Sequence, residues 1–158
     1  MKSALLLLLL STLSLFAGEP WPGVRFAEVR AYAWPDDKTT EAVILPGMTL
    51  KPGVINQDGA PLNAEQIKRL RGAVIGRHPS HPVAACYIPH NAFVFYDEAK
   101  KPVAFVEVCF GCLGSRQEPK ATAEWPDLLA MAAIFDELKL PLGEYQNLPE
   151  FKKHLQGK

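Results

Sequence analysis

Neither sign of charge is in excess. Lysine and arginine number 17, matched by 17 aspartates and glutamates over 158 residues. A chain with no basic surplus carries no electrostatic footprint for nucleic acid. Its densest basic stretch, Lys68-Arg69-x-Arg71, reads as the wet face of a helix. Cysteine is scarce, with three in all, so complete pairing within one chain is excluded. One disulfide plus one free thiol is the simplest arithmetic, with a metal site or an intermolecular bridge as the other outlets. The chain also lacks a phosphate loop, a dinucleotide fingerprint, a nucleophile elbow and a zinc-protease helix. No repeat or low-complexity tract follows the first residues, and no shift in composition marks a domain boundary.

One apolar run is present, at the start. Lys2 is followed by Ala4 to Phe16, broken only by Ser11, Thr12 and Ser14; Ala17-Gly18 and Glu19-Pro20 then turn the chain small and polar. This three-part layout predicts a signal peptide over residues 1–17, with one domain over 18–158. The run is short of the roughly 20 apolar residues of a membrane-spanning helix. No cysteine lies near the cleavage region, so a lipoprotein anchor has no attachment atom. The expectation is an exported protein, periplasmic or secreted, with no stable membrane span after cleavage. Such compartments favour disulfides. A domain of about 140 residues buries a real core without needing them to fold.

Alternation and composition predict strands over Val24–Ala33, Glu41–Leu45, Val54–Ile55, Val83–Tyr87, Ala92–Asp97 and Pro102–Phe110. Helices are predicted from Asn63 to Val74, from near Trp125-Pro126 to before Pro141, and after Asn147. Asn63 with Gln66 and Asn147 with Glu150 have the spacing of N-caps with capping boxes. Gly111 to Ala123 reads as loop. The order predicts an α+β fold: a mainly antiparallel sheet, a meander around residues 83–110, with two to three helices packed on it.

Chemistry has one candidate location, Cys86-Tyr-Ile-Pro-His90 with Cys109-Phe-Gly-Cys112. Centring a hairpin on Ala99-Lys100 pairs Phe93 with Val106, Phe95 with Ala104, Val94 with Phe105, Tyr96 with Val103, Ala92 with Glu107 and His90 with Cys109. Directly opposed Cβ atoms lie about 4.5–5.5 Å apart, so His90 and Cys109 come within bonding reach, beside Glu107. Cys86 joins them only if residues 88–91 turn; otherwise it is a buried thiol.

Three readings follow. As metal ligands, Cys86, His90, Cys109 and Cys112 make a Cys₃His set for zinc or another transition metal. As a redox pair, Cys109 and Cys112 have the right spacing but no following helix to acidify a thiolate. As a structural bridge, Cys109–Cys112, or Cys86 with either, staples the strand end. Leu113 excludes haem attachment. His78 and His81 lie in a proline-rich connector, solvent-facing or bonded to backbone, and His154 reads as an exposed polar residue.

The stretch Cys86-Tyr-Ile-Pro-His-Asn-Ala-Phe-Val-Phe-Tyr-Asp97, continuing to Val106-Glu-Val-Cys-Phe-Gly-Cys112, resembles a recurrent pattern in uncharacterised exported bacterial proteins. The resemblance implies an extracytoplasmic bacterial setting and carries over no catalytic residue. The functional expectation is a non-enzymatic module that binds a metal, or a protein partner in the cell envelope, through the Cys/His edge of its sheet. The alternatives are a thiol- or metal-dependent enzyme at the same cluster, with His90 as base and Glu107 orienting it, and a structural envelope protein with one disulfide.

Overall fold

In the computed structural model the described residues are 21–36, 42–80, 82, 84, 87–121 and 125–157. The signal-peptide region, His81 and Cys86 lie outside them.

The centre of the fold is a five-stranded antiparallel sheet. Its strands are β1 (Glu28–Ala33), β4 (Ala60–Pro61), β5 (Asn91–Tyr96), β6 (Pro102–Cys109) and β7 (Gly114–Glu118), in the order β4-β1-β5-β6-β7. The two-residue strands β2 (Ile44–Leu45) and β3 (Thr49–Leu50) form a separate ribbon around a short 3-10 turn, Pro46–Met48. The helices are α1 (Ala64–Ile75), α2 (Leu128–Glu137) and α3 (Leu148–Gln156). The fold is α+β, as the element order predicts.

The β5–β6 hairpin takes the predicted register from Ala92↔Glu107 to Phe95↔Ala104. At its turn end a bulge pairs Tyr96 with Pro102 instead of Val103. The cause is local: Lys100 sits at φ 62°, and the Asp97 carboxylate accepts the Ala99 and Lys101 amides, which tightens the turn. Phe93, Phe95, Val106 and Val108 point to one face and are fully buried against α1, α2 and α3. There Phe135 packs against Phe93 and Phe110, and Phe110 against Phe151, with ring centroids 4.5 to 5.9 Å apart.

The opposite face is also covered. Ala92, Val94 and Phe105 pack with Tyr32, Trp34, Val43 and Ile44 in a second, smaller core. A sheet buried on both faces explains why its central strands read as near-continuous apolar runs.

Two expectations fail. Gly114 to Glu118 is a strand, although Gly-Ser-Arg-Gln-Glu lacks β-formers; the ladder to β6, from Cys109↔Gly114 to Phe105↔Glu118, imposes it. Val54 and Ile55 form no strand: Gly53 at φ 91° turns the chain, and Ile55 is exposed. Near Val83–Tyr87 the described residues 84 and 87 have no regular structure.

Helix α1 begins as predicted. Asn63 accepts the Gln66 amide, and the Gln66 side chain accepts the Asn63 amide, both at 2.9 Å. Lys68 is exposed, but Arg69 pairs with Glu137, and Arg71 donates to the Trp21 carbonyl at 2.8 Å. The basic stretch therefore fastens α1 to its neighbours. Helix α2 starts at Leu128, two residues beyond Pro126, because the Asp127 carboxylate caps it by accepting the Ala130 amide. Helix α3 is capped by Asn147 through the Glu150 amide.

Candidate functional site

The site lies at the end of the sheet where β6 turns into β7. Asn91 pairs with Val108 at the end of the β5–β6 ladder, and His90 and Cys109, the next residue beyond that pair on each chain segment, both lie at this edge. The His90 carbonyl accepts the Trp34 amide at 2.8 Å, which ties this end of β5 to the segment after β1. That segment brings Asp36, whose Oδ1 is 3.5 Å from His90 Nε2.

Cys109 ends β6. Phe110 to Leu113 make the turn, with Leu113 at φ 54° and its amide donating to the Phe110 carbonyl at 3.3 Å. Cys109 and Cys112 are joined by a disulfide across this turn, their Cα atoms 5.2 Å apart. Both sulfurs also accept main-chain hydrogen bonds. The Cys112 amide donates to Cys109 Sγ at 3.1 Å, and the Ile88 amide donates to Cys112 Sγ at 3.2 Å. The Ala84 amide donates to the Cys112 carbonyl at 3.0 Å. Cys112 thus anchors the connector that leads into β5.

A fourth segment closes the site. The turn Leu142–Tyr145 is held to β5 by the Asn91 side-chain amide, which donates to the Pro141 carbonyl at 2.8 Å. Gly143, at φ 68°, lies against the His90 ring, where a Cβ would be 3.4 Å from Nδ1. Gly111 is approached more closely. A Cβ there would sit 2.5 Å from Glu144 Oε1, so a larger residue would make that exposed carboxylate shift. Burial raises the Tyr145 hydroxyl above its ordinary range, and the neighbouring Glu144 carboxylate adds to the rise.

These segments enclose a cavity of about 150 Å³ lined by Ile88, His90, Cys109, Phe110 and Cys112, with Asp36 and Glu144 at its rim and Gly111 and Gly143 between them. No family model, curated protein or solved structure matches this chain. The cavity is therefore read from its own geometry.

Three of the four residues expected to bind metal, His90, Cys109 and Cys112, line this one cavity. The fourth, Cys86, is outside the described residues. Among the described residues no group of three or more His, Cys, Asp or Glu side chains is arranged to hold a metal ion. In this disulfide form Cys109 and Cys112 offer no thiolate.

Glu107 does not orient His90. Its carboxylate is fully buried and accepts Arg116 Nε and Nη2, each at 3.1 Å, and the Ile44 amide at 2.7 Å. Arg116 also donates to the Ile44 carbonyl at 2.6 Å and lies over the Phe105 ring. The pair pins β2 across β6 and β7. An open cavity of about 380 Å³ beside it is lined by Lys101, Arg116, Glu118 and the residues around Pro46. Its charges are of both signs, and its arginine is already committed.

Of the other histidines, His78 contacts the Gly72 carbonyl at 3.0 Å, in keeping with a backbone-bonded connector residue. His154 is half-buried rather than exposed, its ring 5.2 Å from that of Tyr145. Sequence reasoning missed Asp36 and Glu144, which enter from distant segments. The only local signals were Gly111 and Gly143, glycines where another chain segment comes close.

Proposed function

We propose that this chain is an exported, non-enzymatic binding module, and that its Cys/His cavity receives one cationic side chain, a lysine or arginine, from a protein partner in the cell envelope. The observation that carries this reading is the charge of the lining: Asp36 and Glu144 are acidic, and among the described residues no lysine or arginine lines the cavity. Size narrows the choice. The space is about 150 Å³. That is well below the roughly 300–1,000 Å³ of a site for a drug-sized ligand. Ile88 and Phe110 offer apolar wall for a methylene stem, and the carboxylates at the rim meet the charged head. The apolar run at the N-terminus and the resemblance to exported proteins support the setting.

The test is binding of a lysine-containing tripeptide, blocked at both ends, and of its Nε-acetylated form. The expected result is at least tenfold weaker binding of the acetylated peptide, and several-fold weaker binding of the lysine peptide to Glu144→Gln. That loss matches the roughly 0.2–1 kcal/mol of a solvent-exposed ion pair. Equal binding of both peptides would refute the reading.

The hydrogen bonds to sulfur favour a second reading, a metal centre in the reduced state. Amide donors of this kind orient and stabilise thiolate ligands. With the disulfide opened, Cys109, Cys112 and His90, with Cys86 as fourth ligand, match the donor set of zinc or another transition metal. Anaerobic titration of the reduced chain with zinc tests it. One equivalent bound, and none by Cys109→Ser, is the expected result. Unchanged stoichiometry in the variant contradicts it.

A further inference from the structure

We infer that the Cys109–Cys112 pair is an exchangeable dithiol–disulfide centre whose reaction partner is a thiol, and not only a staple. Three features carry this. The first is redundancy: the turn that the disulfide spans is already closed by the ladder pair Cys109↔Gly114 and by the Leu113 amide on the Phe110 carbonyl. A four-residue ring constrains the unfolded chain less than a longer one would. The second is position: both cysteines, although nearly fully buried, line the wall of the cavity. The third is charge stabilisation prepared in advance. A thiolate released from either sulfur finds an amide N–H already aimed at it, from Cys112 on Cys109 Sγ and from Ile88 on Cys112 Sγ.

The two sulfurs are not equivalent. The donor to Cys109 belongs to the turn itself, whereas the donor to Cys112 comes from the separate connector. Cys109 also shares the cavity wall with His90. The geometry therefore makes Cys109 the leaving thiolate. An incoming thiolate attacks Cys112 Sγ, the Cys109–Cys112 bond breaks, and its electron pair stays on Cys109. A second thiolate then attacks the incoming sulfur of the mixed disulfide and releases the Cys112 thiolate. Two thiols have become one disulfide, and the protein disulfide has become a dithiol, with two electrons transferred. A protein-bound thiol pair serves as well as two small thiols.

The inference does not rest on the cation-binding reading. A chain that ignores lysine peptides and still exchanges would sink that reading alone. The experiment uses the full chain carrying Cys86→Ser, so that only this pair reports. Folded protein is equilibrated with graded ratios of reduced to oxidised glutathione, acid-quenched and mapped by mass spectrometry, with tryptophan fluorescence following the fold. The expected result is a reversible passage between disulfide and dithiol with the fold retained. Transient glutathione adducts should form mainly on Cys112 and not on Cys109. A pair that stays oxidised until the protein unfolds would overturn the inference, and adducts found equally on both cysteines would overturn the assignment of Cys109 as leaving group.

Discussion

Removing Arg116 should damage this protein more than neutralising Glu107, although the two form a single pair. The Arg116 side chain is 45% exposed, while that of Glu107 is 0% exposed. In Arg116→Met the carboxylate loses both guanidinium contacts and keeps only the Ile44 amide at 2.7 Å. A buried charge stripped of its partner costs about 3–5 kcal/mol. Losing the bond from Arg116 to the Ile44 carbonyl adds to the damage. In Glu107→Gln the amide oxygen still accepts the Ile44 N–H, and Arg116 turns its charge toward water. That variant should lose about 1–2 kcal/mol, the range for one hydrogen bond weakened from charged to neutral. Urea unfolding followed by tryptophan fluorescence reads both, since Trp34 is buried in the small core beside Ile44. The expected gap is about 2 kcal/mol, out of a total stability of about 5–15 kcal/mol for a domain. If Glu107→Gln proved the more damaging, or Arg116→Met fell within about 0.5 kcal/mol of wild type, the pin from β2 to the sheet would not stabilise the fold as argued.

Other perturbations have equally defined outcomes. Asn63→Ala removes the acceptor of the Gln66 amide and should cost about 1 kcal/mol in the same urea titration. Phe135→Ala, at the centre of the aromatic cluster on the main core face, should cost about 3–5 kcal/mol; a loss below about 1 kcal/mol would mean that the face is not the packed core. The Glu28 carboxyl is lowered from 4.5 to about 2, mainly by the hydrogen bond from Arg30, with Lys100 contributing. Its folded value lies below its unfolded one, so its stabilising contribution is complete above about pH 4.5 and disappears as the pH falls toward 2. Stability measured between pH 5 and pH 2 should therefore drop less steeply in Glu28→Gln than in wild type.

The sequence revealed what periodicity and capping encode. The alternation of Phe93 and Phe95 against Ala104 and Val106 set the hairpin register, because a one-residue slip would have turned every phenylalanine away from the core. Asn63 with Gln66, and Asn147 with Glu150, marked two helix starts through side-chain bonds that need no tertiary context. Strand β7 was hidden because its conformation is set by β6 and not by Gly-Ser-Arg-Gln-Glu. The role of Glu107 was hidden for a similar reason: its partner Arg116 lies on that unrecognised strand. The cavity was half legible. His90, Cys109 and Cys112 followed from the hairpin, but Asp36 and Glu144 arrive from opposite ends of the chain, and only the folded sheet makes them neighbours.

The central claim is that this cavity is where the protein meets its ligand. Amide chemical-shift mapping during titration with the blocked lysine peptide tests that claim most directly. The account predicts shifts confined to Gly111, Cys112, Gly143, Glu144 and the residues beside His90, and their loss when Asp36 and Glu144 are both changed to amides. Shifts centred elsewhere, such as around Arg116 and Pro46, or unaltered shifts in the double variant, would contradict it.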